Sequence, residues 1–109
     1  MFVVRITKKF NEEFKRLNKL HKDRIIKMIR RLESEGLNAV KILTNFNNFI
    51  LCEMKSHKPP YRLYIIYDQG DKIFYVFKWE HKDKQEEFLS QLNASFNEAI
   101  IKIMKELRF

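Results

Sequence analysis

Glu53, Lys55, Arg62, Tyr64, Lys78 and Glu80 fall on one face when Phe49 to Lys55, Tyr61 to Tyr67 and Lys72 to Glu80 are written as strands. Alternate residues of a strand point to opposite sides of its sheet. The other side then collects Ile50, Cys52, Met54, Leu63, Ile65, Tyr67, Ile73, Tyr75, Phe77 and Trp79. One side is expected to be a core, the other an open floor of carboxylates, amines and a guanidinium. A floor that gathers such groups from three strands has what a binding or catalytic surface needs.

The rest of the chain must position that floor. Phe2-Val-Val-Arg-Ile6 is β-branched and alternating, so it reads as a strand. Thr7 follows as an expected N-cap, its hydroxyl accepting from an otherwise unpaired N–H. Phe10, Phe14 and Leu17 recur at helical spacing; Ile25, Ile26, Ile29 and Leu32 form a second stripe, with Lys22, Lys27, Arg30 and Arg31 largely opposite. Between these stripes, around Asn18 to His21, the phase shifts, which predicts a helical hairpin or a kink. Gly36 is expected to stop the second helix by taking the left-handed conformation. Residues 37–48, with Asn45, Asn47 and Asn48, read as a connecting loop. Pro59-Pro60 fixes an extended approach to Tyr61, and Asp68-Gln-Gly-Asp71 predicts a tight hairpin with Gly70 free to take positive φ. Phe88, Leu92, Phe96, Ala99, Ile100, Ile103 and Leu107 then form one helical stripe. The expected architecture is α+β: an N-terminal strand, a helical hairpin, a three-stranded antiparallel meander and a long C-terminal helix.

A chain of 109 residues forms one domain, spanning 1–109. It has no apolar run of about 18 residues to span a bilayer. Its start lacks the layout of a signal peptide, and it carries a single cysteine. All three features lead to the expectation of a cytoplasmic protein without a membrane partner. Cys52 sits on the apolar face and is expected to be a small core residue rather than a nucleophile. The net charge is +8, and residues 1–36 supply most of it with eleven basic and five acidic side chains. That favours an anionic partner, RNA ahead of membrane, although a solvated helix face explains the charge equally well.

Three local motifs in this order resemble the RelE/ParE superfamily of bacterial and archaeal toxins. Cys52-Glu53-Met54-Lys55 is similar to the family's "E-L-R" strand, Tyr61-Arg62-Leu63 to its "Y-R-L/V", and Trp79-Glu-His-Lys-Asp-Lys84 to the segment "F-x-K-K-T-Q" of HigB-like relatives. The match spans roughly residues 1–92, with 93–109 an extension of the last helix. The resemblance implies the toxin of a type II toxin–antitoxin system. In the RelE and HigB branches that toxin is an mRNA interferase, a metal-independent endoribonuclease that cuts messenger RNA, usually on the ribosome, and inhibits translation. It implies no cofactor, and as partners mRNA, the ribosome and a cognate antitoxin, small and acidic. Carried over by position, the family's hairpin arginine falls on Arg62, its preceding basic residue on Lys55, and the basic residue after the last strand on Lys82, with Lys84 beyond. His81 matches a histidine of the YoeB branch, and Phe88 stands near a tyrosine that stacks on the substrate base in RelE. Leu51 and Glu53 stand where RelE has two lysines.

Cleavage with the 2′-hydroxyl as nucleophile needs a base, cations on the phosphate and an acid for the departing oxygen. Arg62 suits the phosphate, since its planar fork binds two oxygens and keeps its charge; a surface salt bridge to Glu53 or Glu80 is its ordinary alternative. Glu53 or His81 can serve as base, and His81 or a lysine as acid, histidine because its unperturbed pKa of about 6.5 allows either sense. His57 reads as a surface residue, and His21 as a helical-turn residue without a partner. Lys78, Lys84 and Phe88, with Lys27, Arg30 and Arg31 of the helical pair, are candidate RNA contacts; Phe88 also begins an apolar stripe, which points to packing. Two other readings stand beside the nuclease: a ParE-like inhibitor that binds DNA gyrase, and a non-catalytic RNA- or protein-binding member of the same fold.

Overall fold

In the computed structural model, which describes residues 1–94 and Glu98, the chain begins with strand β1 (Val3–Ile6) and enters helix α1 (Lys8–Lys15). Thr7 caps α1 as expected, its Oγ1 accepting from the Phe10 N–H at 3.1 Å. Asn18 does the same for α2 (Lys19–Glu35), accepting from the His21 N–H at 3.1 Å. The shift in stripe is thus a break between two helices. Ile25, Met28 and Leu32 of α2 are buried, while Lys27, Arg30 and Arg31 point to solvent.

Gly36 ends α2 at φ 58° and ψ −132°, a region closed to side-chain-bearing residues. A Cβ there would also lie 2.7 Å from the Phe2 ring. Phe2 is half-exposed and can swing away, so the backbone conformation carries the penalty. Gly36→Ala is expected to cost roughly 1–3 kcal/mol, measured as a shift in urea midpoint at unchanged slope.

Residues 37–48 are not a loop. After a 3-10 turn at Gly36–Ala39 they form strand β2 (Lys41–Phe46), antiparallel to β3 (Phe49–Lys55). Asn47, at φ 51°, makes the tight turn between them. Of the asparagines that suggest a loop, Asn47 and Asn48 are turn residues while Asn45 lies within β2, opposite Ile50; the strand itself is hidden because its pairing slips between Ile42 and Thr44 and breaks the alternation. Strands β4 (Tyr61–Asp68) and β5 (Ile73–His81) complete a sheet in the order β1-β5-β4-β3-β2, with β1 parallel to β5 and the other pairs antiparallel. The meander has four strands among the described residues, not three. In the β4–β5 hairpin the Asp68 carboxylate accepts from the N–H groups of Gly70 (2.9 Å) and Asp71 (3.2 Å). The positive φ falls on Lys72 rather than Gly70.

Helices cover both faces of this sheet. Phe10, Ile25, Met28 and Leu32 pack on Cys52, Met54, Leu63, Ile65, Phe74, Val76 and Trp79, so α1 and α2 lie on the face assigned to the core. On the other face α3 (Gln85–Ala94) sets Phe88, Leu89 and Leu92 against Leu51, Ile66 and Phe77. The floor expected to be open is therefore partly roofed. The phase of β5 also differs from expectation. Its pairing with β4 skips Phe77, since Tyr64 opposes Lys78 while Ile65 opposes Val76. This bulge puts Phe74 and Val76 on the α2 face, and Ile73, Tyr75 and Phe77 opposite; beyond it Trp79 returns to the core as expected. Strict alternation cannot reveal an inserted residue. The extension assigned to 93–109 lies outside the described residues apart from the end of α3 and Glu98.

Candidate active site

Cross-strand pairing arranges the charged face as two rungs. Lys55 opposes Arg62, which opposes Glu80; one step inward, Glu53 opposes Tyr64, which opposes Lys78. Lys55 is exposed at the end of β3. Arg62 is partly buried and donates from Nη1 to the Tyr61 carbonyl at 3.3 Å. Among the described residues its guanidinium makes no ion pair. Glu80 is engaged elsewhere, 3.8 Å from the Lys78 ammonium and accepting from the His81 N–H at 3.2 Å. The salt bridge that would explain Arg62 as surface decoration is not formed. A half-desolvated guanidinium opposite an exposed lysine is a ready site for a phosphate.

The inner rung is covered. Glu53 is 1% exposed and Tyr64 is fully buried. Gln85, in the first turn of α3, donates from Nε2 to Glu53 Oε2 at 2.8 Å. Phe88 lies over the Tyr64 ring with centroids 4.4 Å apart and a 40° tilt, so it serves packing here, next to the charged face. Glu53 Oε1, Arg62 Nε and the Tyr64 hydroxyl are buried without a hydrogen-bond partner among the described residues. Each such group costs about 1–3 kcal/mol to leave unmet, so this closed arrangement carries a standing penalty. Burial, and then the Glu53 carboxylate, push the Tyr64 hydroxyl up to about 12 against the opposing pull of Arg62. Gln85 was not singled out from the sequence. Its amide carries no periodic signal, and only the phase of Glu53 against a roofing helix reveals it.

His81 is not brought to this patch. It opposes Tyr61 on the α2 face, its ring edge-on to Tyr61 at 5.2 Å. Its Nδ1 accepts from the Asp83 N–H at 3.1 Å. Lys82 and Lys84 follow in a 3-10 turn, exposed between β5 and α3. His21, expected to lack a partner, accepts the Trp79 indole N–H on Nδ1 at 2.9 Å and sits edge-on to Tyr61 at 4.6 Å. Lys27, Arg30 and Arg31 lie on the outer surface of α2, across the sheet from Arg62, and Arg31 pairs with Glu35 at 2.8 Å. His57 is exposed. Among the described residues no group of His, Cys, Asp and Glu is placed to hold a metal ion, and no helix is long and apolar enough to cross a membrane.

Cys52 is fully buried in the α2-face core, and burial pushes its thiol up to about 12. Together with Tyr64 it links stability to alkaline pH. Both groups favour the neutral form in the fold, so their contribution is complete below the ordinary values of 9.0 and 10.0 and is lost as pH rises toward about 12. The urea midpoint is expected to fall across that window by up to a few kcal/mol in stability. Cys52→Ala should flatten the lower part of the decline and leave the tyrosine's part in place.

No protein-family model matches the sequence, and comparison with curated proteins gives no match either. Solved structures do match in fold. A chain of the archaeal RelE–RelB complex from Pyrococcus horikoshii OT3 superposes with a TM-score of 0.62, covering 74% of this chain and 94% of its own, at 21% identity. A chain of the intact E. coli RelBE toxin–antitoxin complex gives 0.58, with 74% and 96% covered, at 16% identity. Element order, the five-stranded mixed sheet and these superpositions agree: the chain has a RelE-like α+β fold.

Proposed function

We propose that this chain is the toxin half of a toxin–antitoxin pair, an endoribonuclease that cuts messenger RNA on the ribosome without a metal ion. The observation that carries the reading is Arg62: a half-buried guanidinium free of ion pairs among the described residues, with Lys55 across from it, on the charged face of a RelE-like sheet. Such a pair meets the charge that builds on a phosphodiester during attack. The 2′-oxygen attacks phosphorus while its proton passes to Glu53. The bond from phosphorus to the 5′-oxygen breaks, and a lysine ammonium, that of Lys55 in the patch or of Lys82 in the turn after β5, supplies the proton that oxygen needs. The products are a 2′,3′-cyclic phosphate and a 5′-hydroxyl. The similar RelE chains were solved as RelE–RelB complexes, which supports an antitoxin partner; a small acidic protein would complement the net charge of +8.

Burial of Glu53 favours a second reading, in which the same patch binds RNA or protein without cutting. Purified protein added to ribosomes translating a defined message separates the two, with 5′ ends mapped. New ends in the message are the expected result. Their absence, while gyrase supercoiling is blocked, would instead support an inhibitor of the ParE kind; absence of both effects would leave the binding module.

A further inference from the structure

Glu53 Oε1, the Arg62 Nε–H and the Tyr64 hydroxyl, the three buried side-chain polar atoms without a partner among the described residues, are not scattered. Tyr64 stands directly across from Glu53, and Arg62 lies two residues before Tyr64 on the same strand and face. Side chains so placed leave the sheet within about 5–8 Å of one another. Buried polar groups are ordinarily bonded, so a cluster of three points to a group that the folded chain does not itself supply. Their chemistry describes that group. Arg62 Nε–H donates; Tyr64, held protonated by burial and by the neighbouring carboxylate, donates; Glu53 Oε1 accepts. The complement is two acceptor oxygens beside one hydroxyl proton. A ribose 2′-hydroxyl next to its 3′-phosphodiester presents that set, and a deoxyribose lacks the proton.

We propose that Tyr64 is a further catalytic residue, its hydroxyl donating to a non-bridging phosphate oxygen beside Arg62 while Glu53 Oε1 receives the 2′-proton. The inference rests on the ribonuclease reading and adds a residue to its site. Access requires the first turn of α3 to lift, since Gln85 holds Glu53 and the Phe88 ring covers Tyr64. The unmet atoms favour that opening, because the closed state satisfies none of them and a bound ribose 2′-hydroxyl with its adjoining 3′-phosphodiester satisfies all three.

Tyr64→Phe tests this, since it keeps the ring that packs under Phe88 and removes only the hydroxyl. Three quantities are read: urea stability, single-turnover cleavage of a ribosome-bound message, and affinity for an uncleavable 2′-deoxy oligonucleotide. Stability is expected to hold or rise, because the lost hydroxyl has no partner among the described residues. Cleavage is expected to fall about 10- to 100-fold, a lower figure than for a sole oxyanion donor because Arg62 persists. Affinity for the deoxy strand is expected to fall about 3- to 10-fold with the loss of one phosphate hydrogen bond. A loss of stability would overturn the proposal by showing the hydroxyl bonded within the fold. Cleavage and affinity both at wild-type level would overturn it by showing that the hydroxyl does not touch the strand. If the wild-type protein binds the strand but cuts nothing, the ribonuclease reading fails alone, and the affinity comparison still decides whether Tyr64 contacts phosphate.

Discussion

Arg62→Ala is expected to lower the rate of message cleavage by about 100- to 1,000-fold while leaving the fold intact, the loss typical of a donor aimed at charge that develops during reaction. Among the described residues the guanidinium bonds only to the Tyr61 carbonyl and pairs with neither Glu53 nor Glu80, so its removal breaks no salt bridge there. It also takes one buried unmet N–H out of the closed site. Thermal stability should therefore stay within about 1 kcal/mol of wild type, which separates a chemical defect from a folding one. Arg62→Lys should recover only part of the rate, because an ammonium restores the charge without the planar fork. Lys55→Ala should cost less, since Lys55 is exposed and partly replaceable by solvent. Single-turnover rates on ribosome-bound message provide the comparison, with KM measured separately to distinguish lost binding from lost rate.

Leu63→Ala carries the largest expected effect on stability. Leu63 is fully buried in the α2-face core, among the residues that join α1 and α2 to the sheet. Truncation there removes buried methyl groups and leaves a cavity that packed neighbours cannot fill, a loss of about 3–5 kcal/mol. Against a total stability of roughly 5–15 kcal/mol, that change would leave a marginal fold, seen as a large drop in urea midpoint. Leu92→Ala on the opposite face should cost less, about 2–3 kcal/mol, because among the described residues its cluster is smaller and rimmed by partly exposed side chains. If the two costs proved equal, the assignment of the main core to the α2 face would be wrong.

The parts of this fold that were legible from sequence are those set by local chemistry. Thr7 caps α1 because a hydroxyl before a helical run has one obvious partner, and Gly36 stops α2 because its backbone conformation excludes side chains. The phase of β3 and β4 was legible because both strands alternate without interruption. In β5 the bulge at Phe77 defeats alternation, since one added residue reverses every side chain before it. Strand β2 was hidden for a related reason: as an edge strand with a slipped register it needs no continuous apolar pattern. The charged face itself was legible, including the neighbourhood of Lys55 and Arg62. Its roof was not, because the contact of Gln85 with Glu53 joins residues 32 positions apart and leaves no mark on either local pattern. His21 illustrates the same limit, its partner Trp79 lying 58 residues away.

The most direct test of the proposed chemistry is a comparison of two messages on translating ribosomes, in the presence of a chelator. One is all-ribose; the other carries a single 2′-deoxy nucleotide at the cleaved position. The account predicts that the wild-type protein cuts the first message to a 2′,3′-cyclic phosphate and a 5′-hydroxyl, leaves the second uncut, and loses cleavage of the first with Arg62→Ala. Equal cleavage of both messages, or a cut unaffected by Arg62→Ala, would contradict it.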